Sequence, residues 1–183
     1  MADTDLADLV VSARSGDGPA FGEIFRRLSP AVAAFLASRG AREPQDLTSE
    51  VFLGVFQKMD SFVGGAPELR TFVFSVAHRR LVDDLRQQAR RPATYPHDEA
   101  LDARTTGSAE DAALDHVADE QVRALLGTLS PEQQTVLELR VVAELTAAQV
   151  AQVLGKSPGA VKQTQRRALA ALRAMITKDG VPT

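Results

Sequence analysis

Along most of this chain, apolar residues return every three or four positions, the spacing that gathers them on one side of an α-helix. Leu6, Leu9, Val10 and Ala13 make the first such stripe, and Gly16-Asp17-Gly18-Pro19 stops it. Phe21, Ile24, Phe25 and Leu28, then Val32, Phe35 and Leu36, form a second stripe that ends at Gly40. Pro30 falls inside that run directly after Ser29, a possible new cap. Because proline removes a helical hydrogen bond and crowds the preceding turn, a kink or a restart is expected there. A third helix starts near Pro44 and is expected to bury Leu47, Val51, Phe52, Val55, Phe56 and Met59. The segment from Asp60 to Glu68, DSFVGGAPE, reads as a loop. A fourth helix, from about Leu69, carries Phe72, Val73, Val76, Leu81, Val82 and Leu85 and runs out in basic residues before Pro92.

Later in the chain the helix starts are written in capping chemistry. Ser130-Pro131-Glu132-Gln133 offers an N-cap Ser, Pro at the first helical position and Gln at the third. Thr146-Ala147-Ala148-Gln149 repeats the capping box, and Ser157-Pro158 supplies a third cap. Between the last two lies a short helix with Val150, Ala151, Val153 and Leu154, then Gly155; a long final helix is expected from Pro158 to about Ile176. No periodicity of strand type competes, so the fold class is all-α. The segment 93–118 combines Pro96, Thr105-Thr106-Gly107-Ser108 and many acids, and reads as a solvated linker with a short helix at Ala109 to Leu114. The expected organisation is two small helical domains, 4–92 and 119–177, joined by an acidic flexible linker at 93–118.

Composition changes this picture in three ways. All eight Phe lie between Phe21 and Phe74, so the two halves have different kinds of core. There are no cysteines, which removes disulfides, thiolate metal sites and thiol nucleophiles together. The net charge of −3 hides a strong segregation: Arg70 to Arg91 holds six Arg against two Asp, Pro92 to Glu120 holds eight acids against one Arg, and Lys156 to Arg173 holds five cations and no acid. Two basic blocks around an acidic connector point to nucleic acid. No apolar run approaches the ~20 residues of a membrane span, and the acidic opening MADTDLADLV lacks the cationic start of a signal peptide. A cytoplasmic protein without membrane insertion is expected.

The spacing Ala151-x3-Gly155-x5-Val161 is that of a helix-turn-helix. A small residue lets the two helices approach, a glycine takes the positive φ of the tight turn, and an apolar anchor seats the second helix. At 100° per residue from Val161, the opposite face carries Gly159, Gln163, Arg166, Arg167 and Ala170, with Lys162 beside them. Arg suits guanine edges and phosphates, and Gln suits adenine, so this face has the donors of a major-groove reader.

The first half separates a repressor from another kind of protein. Leu6 to Leu28 resembles the opening of region 2 in the extracytoplasmic-function (group IV) sigma factors of the sigma-70 family. Asp46-Leu47-Thr48-Ser49-Glu50-Val51-Phe52 is similar to their D-L-x-Q-E-x-F segment, with Ser49 where Gln is usual and Phe56 where an aromatic follows. Leu69 to Asp83 resembles their L-x-T-W-L-x-x-I-A-R-N-x-x-x-D helix, and the chain from about Ala124 to Ile176 resembles region 4.

That resemblance implies an alternative sigma factor that binds core RNA polymerase and directs promoter-specific initiation. It implies polymerase docking on the β′ clamp coiled coil through Asp46, Ser49, Glu50 and Phe56, with region 4 touching the β flap. It implies contact with the −10 element of promoter DNA through Phe62, Gly64, Arg70, Phe72, His78, Arg79, Arg80 and Arg86, the loop forming a pocket for a flipped base. Reading of the −35 duplex falls to Lys156, Ser157, Gly159, Lys162, Gln163, Arg166 and Arg167. An anti-sigma factor is a further implied partner. Phe72 stands where Trp is usual, Arg79 where Asn is usual, and Thr164-Gln165 where Arg-Leu is commoner.

No catalytic constellation is visible: His78, His97 and His116 are scattered, and Asp83-Asp84 and Asp98-Glu99 are adjacent pairs that diverge on a helix. No enzyme activity, cofactor or metal is expected. Two rival readings remain open at this point, an autonomous helix-turn-helix repressor or activator and a protein-binding adaptor.

Overall fold

The computed structural model describes residues 2–90 and 126–178, apart from the side chains of residues 2–5 and 176. The connector expected at 93–118 lies outside the described residues. Those described form seven helices and no strand: α1 (Ala2–Arg14), α2 (Gly18–Ser38), α3 (Pro44–Phe56), α4 (Ala66–Arg90), α5 (Pro131–Val141), α6 (Ala147–Leu154) and α7 (Pro158–Lys178).

Helices α1 to α4 pack in chain order, each on the next, with α4 returning against α1 and α2. Their core is Val10, Ile24, Val32, Phe35, Leu36, Val51, Val55, Leu69, Val73 and Phe74, all within 1% of full burial. Phe35 meets Phe74 edge-on at 5.9 Å, a geometry that adds about 1 kcal/mol beyond area burial. Asp17 caps α2 by accepting from the Ala20 N–H at 3.4 Å.

Two expectations need correction. Helix α2 runs unbroken through Pro30 instead of restarting there. Buried residues on both sides of the proline, Ile24 and Leu28 before it and Val32, Phe35 and Leu36 after it, hold both halves against one core. Tertiary packing of that kind outweighs the local penalty. Helix α4 starts at Ala66, three residues before the predicted Leu69. Pro67 suits a first turn, and the Glu68 carboxylate accepts from the Gly65 N–H at 2.9 Å, closing the end as a capping box does.

In the second half both predicted capping boxes are present. Gln133 N–H donates to Ser130 Oγ while Gln133 Oε1 accepts from Ser130 N–H, and Gln149 does the same with Thr146. Leu139, Ala143, Leu145, Val150, Ala151 and Val161 are buried, and a smaller cluster of Leu129, Leu137 and Ala168 fastens α5 to α7.

The two halves are not held apart. Helix α6 packs on α4, and the buried apolar residues of both halves form one continuous cluster. Polar contacts cross the same seam. The Gln149 amide donates to the Pro67 carbonyl at 3.1 Å, Arg70 pairs with Glu144 at 2.9 Å, and the Arg39 guanidinium donates to Gln134 Oε1.

Candidate nucleic-acid interface

The helix-turn-helix is built as its spacing requires. Gly155 ends α6 at φ 63° and ψ 35°, the left-handed conformation, and the next N–H, that of Lys156, donates to the Ala151 carbonyl at 2.9 Å. Ser157 Oγ accepts from the Ala160 N–H at 3.2 Å, capping α7. Val161 is fully buried, and that fixes the rotation of α7. All seven residues expected to read duplex DNA are consequently exposed: Lys156, Ser157, Gly159, Lys162, Gln163, Arg166 and Arg167.

Thr164 and Gln165 lie on the inner side of α7, both half-buried. Gln165 Oε1 accepts from Arg140 Nε at 3.3 Å, and the same guanidinium donates to the Leu145 carbonyl. Thr164 Oγ1 is 3.4 Å from Glu132 Oε1, which also holds Lys156 Nζ at 2.5 Å. The Lys156 hydrogen bond keeps the Glu132 carboxyl below its ordinary range. The recognition helix is thus seated by polar ties to α5 at the two positions where its sequence departs from the commoner pattern.

The expected −10 residues are less uniformly placed. Phe62 and Phe72 stack at 5.8 Å with 24° between their planes, both half-buried against the core. Gly64 has φ +143°, and a Cβ there would meet the Glu68 Cβ at 2.5 Å, so only glycine fits. Arg79, Arg80 and Arg86 are exposed; Arg80 pairs with Glu50 at 3.4 Å and Arg86 with Asp83 at 3.5 Å. Arg70 and His78 point elsewhere. Arg70 is 22% exposed and engaged by Glu144 of the second half. His78 is half-buried with its Nδ1 making no hydrogen bond among the described residues. Burial, and secondarily the Arg39 charge, hold the His78 imidazole below its ordinary pKa.

Asp46, Ser49, Glu50 and Phe56, expected to dock polymerase, are all exposed on α3. Phe56 therefore does not join the core as its stripe suggests: it is 52% exposed and touches Phe21 only by its edge, at 4.9 Å. Leu53, 58% exposed, lies on the same face at the spacing 49, 53, 56, and sequence reading missed it. The available signal was an apolar residue out of phase with Val51 and Val55. Asp46 and Glu50 also line a polar recess with Glu43 and Asp84.

With this geometry in view, the comparisons with known proteins agree. Sigma-70 region 2 matches residues 24–91, and Sigma-70 region 4 matches residues 125–174. The ECF RNA polymerase sigma factor BldN of Streptomyces coelicolor is 31% identical over 97% of this chain and 69% of its own. ShbA of Streptomyces griseus, also an ECF RNA polymerase sigma factor, is 32% identical over 94% of this chain and 95% of its own. In fold, the chain is similar to CnrH solved with the cytosolic domain of CnrY, with a TM-score of 0.68 at 24% identity over 96% of this chain and 99% of that one. The chain belongs to the ECF RNA polymerase sigma factors of the sigma-70 family.

Proposed function

We propose that the chain carries core RNA polymerase to its promoters by dividing the work among three faces. The exposed face of α3 with Ser49, Glu50, Leu53 and Phe56 docks the polymerase β′ clamp coiled coil, the loop 60–65 with α4 reads the −10 strand, and α7 reads the −35 duplex. The observation that carries the reading is the pairing of a buried Val161 with seven exposed polar, small or cationic positions on α7. That combination fixes one helix face toward solvent with the donors a major groove accepts.

The −10 assignment is supported by the Gly64 turn beside two stacked rings and by the cations of α4, which suit an unstacked base and its phosphates. The chain acts as a binding factor and not as an enzyme, in the cytoplasm, with the β flap touching the second domain and an anti-sigma protein as a further partner. Among the described residues no helix is long and apolar enough to cross a membrane. In this reading the division of domains falls at 4–92 and 119–177.

The test is reconstitution. Purified core polymerase, supplied with this chain and a pool of genomic fragments, should give transcripts from a small set of fragments that share two spaced elements. Transcripts that are identical with and without the chain would end the proposal. Phe56→Ser, which alters only the docking face, should lower the yield from every such fragment alike.

A further inference from the structure

The second domain lies across the start of the helix assigned to the −10 strand, and the contacts that hold it there are of an unusual kind. Glu144, at the turn between α5 and α6, has φ 53°, the one positive φ outside glycine among the described residues, and it is this residue that grips Arg70. A non-glycine residue in that conformation is strained and is found where the surroundings impose it. Gln149, already engaged in its own capping box, reaches across to the Pro67 carbonyl in the first turn of α4.

Deeper in the seam sits a polar cluster that is incompletely satisfied. Arg39 is 11% exposed and Glu138 6% exposed, yet Arg39 Nε and Glu138 Oε2 stand 3.6 Å apart, beyond hydrogen-bond reach. Those two atoms and His78 Nδ1 are buried with no hydrogen bond among the described residues. Buried polar atoms left in this state lose their hydration without full return, so an interface containing them separates more readily than an apolar one of equal area.

What closure covers is selective. Arg70 and His78 face the second domain, while Arg79, Arg80 and the whole basic face of α7 stay exposed. The α3 docking face is open as well.

We propose that this arrangement is a closed, self-masked state of the free chain, in which the second domain competes with the −10 strand for α4 through Glu144–Arg70 and Gln149–Pro67. Polymerase and duplex −35 DNA can engage the closed chain; single-stranded −10 DNA requires the domains to part. The polar cluster of Arg39, His78 and Glu138 keeps closure weak enough for polymerase docking to reverse it. The proposal rests on the assignment of α4 to the −10 strand.

The absence of cysteine allows a clean test. Dyes on Ser15→Cys and Ala174→Cys, one exposed site in each domain, report the domain distance by energy transfer in the full chain. Anisotropy measures binding of a random-sequence single-stranded DNA pool and of a random-sequence duplex pool. Glu144→Lys should lower the transfer and tighten single-strand binding roughly tenfold, as for a competent state rising from about a tenth of the population to nearly all of it. Duplex binding should not change. The double variant Arg39→Met with Glu138→Leu, which exchanges the imperfect pair for apolar packing, should raise the transfer and weaken single-strand binding.

Energy transfer that is low in the unsubstituted chain and unmoved by either variant overturns the closed state. Opening without any gain in single-strand binding overturns the masking. In that case Arg79→Ala and Arg80→Ala in the opened chain separate the two failures. Loss of the remaining single-strand binding keeps the −10 assignment and removes only the masking, whereas no change removes the assignment itself.

Discussion

The two faces assigned to DNA differ in how finished they are. On α7 every candidate residue is exposed and its seating is fixed by Val161, Gln165 and Thr164, so the face is complete before any partner arrives. On α4 the candidates divide: the cations Arg79, Arg80 and Arg86 are free of the second domain, whereas Arg70 and His78 are turned into the seam. A duplex offers its edges without being opened, so a rigid preformed helix serves it. A melted strand exists only after polymerase has engaged, and a face that is completed late suits that order.

The glycines of the two faces should break differently, and the larger effect lies in the first domain. Gly64→Ala forces both an unfavourable φ and an overlap with the Glu68 backbone-proximal carbon, so a loss of about 3 kcal/mol, at the top of the range for such strain, is expected. Gly155→Ala meets no atom within 4 Å and bears only the left-handed conformation, about 1–2 kcal/mol. Thermal unfolding of the two variants ranks them. An equal loss would mean that the loop relaxes around position 64.

A smaller effect separates the two capping boxes. Ser130→Ala and Thr146→Ala should each cost about 1 kcal/mol of stability. Only Thr146→Ala also frees Gln149 from its cap, and with it the hold on Pro67, so it alone should lower the energy transfer between domains. Opening by Ser130→Ala to the same degree would contradict the assignment of Gln149 as a contact of closure.

The smallest expected effect is on pH. Burial pushes the Glu138 carboxyl up to about 7, with Arg39 opposing only in part. The closed state therefore holds that proton more tightly than the open one, and closure strengthens as pH falls from 8 through 7. His78 acts with opposite sign: its lowered pKa makes protonation favour opening below its ordinary value of 6.5. Closure should thus rise between pH 8 and about 6.5 and then level off, and Glu138→Gln should flatten the first limb. A closed fraction that falls across that first limb would show that the carboxyl stays ionised in the seam.

Local chemistry was the part of this molecule most legible in its sequence. Capping boxes at Ser130 and Thr146, the Gly155 turn and the Val161 anchor depend on residues within a few positions of one another, and each stands where its spacing put it. What depends on distant partners was not legible. Phe56 belongs to an apolar stripe but has no helix over it, and Leu53 beside it is exposed for the same reason. The unbroken α2 depends on a core shared across Pro30. The docking of α6 on α4 is written in Gln149 and Glu144, which read locally as a cap and a surface acid.

The central claim is that α7 reads duplex DNA while α4 reads the melted strand, and a pair of templates tests it most directly. On a promoter selected by reconstituted transcription, Arg166→Ala should lose activity equivalent to about 1–3 kcal/mol when the −35 element is intact. The deficit should vanish when that element is scrambled, because wild type then has nothing there to read. Arg79→Ala should be impaired on both templates alike. If Arg166→Ala matches wild type on the intact promoter, or keeps its full deficit on the scrambled one, α7 does not read the −35 element and the division of labour between the two faces is wrong.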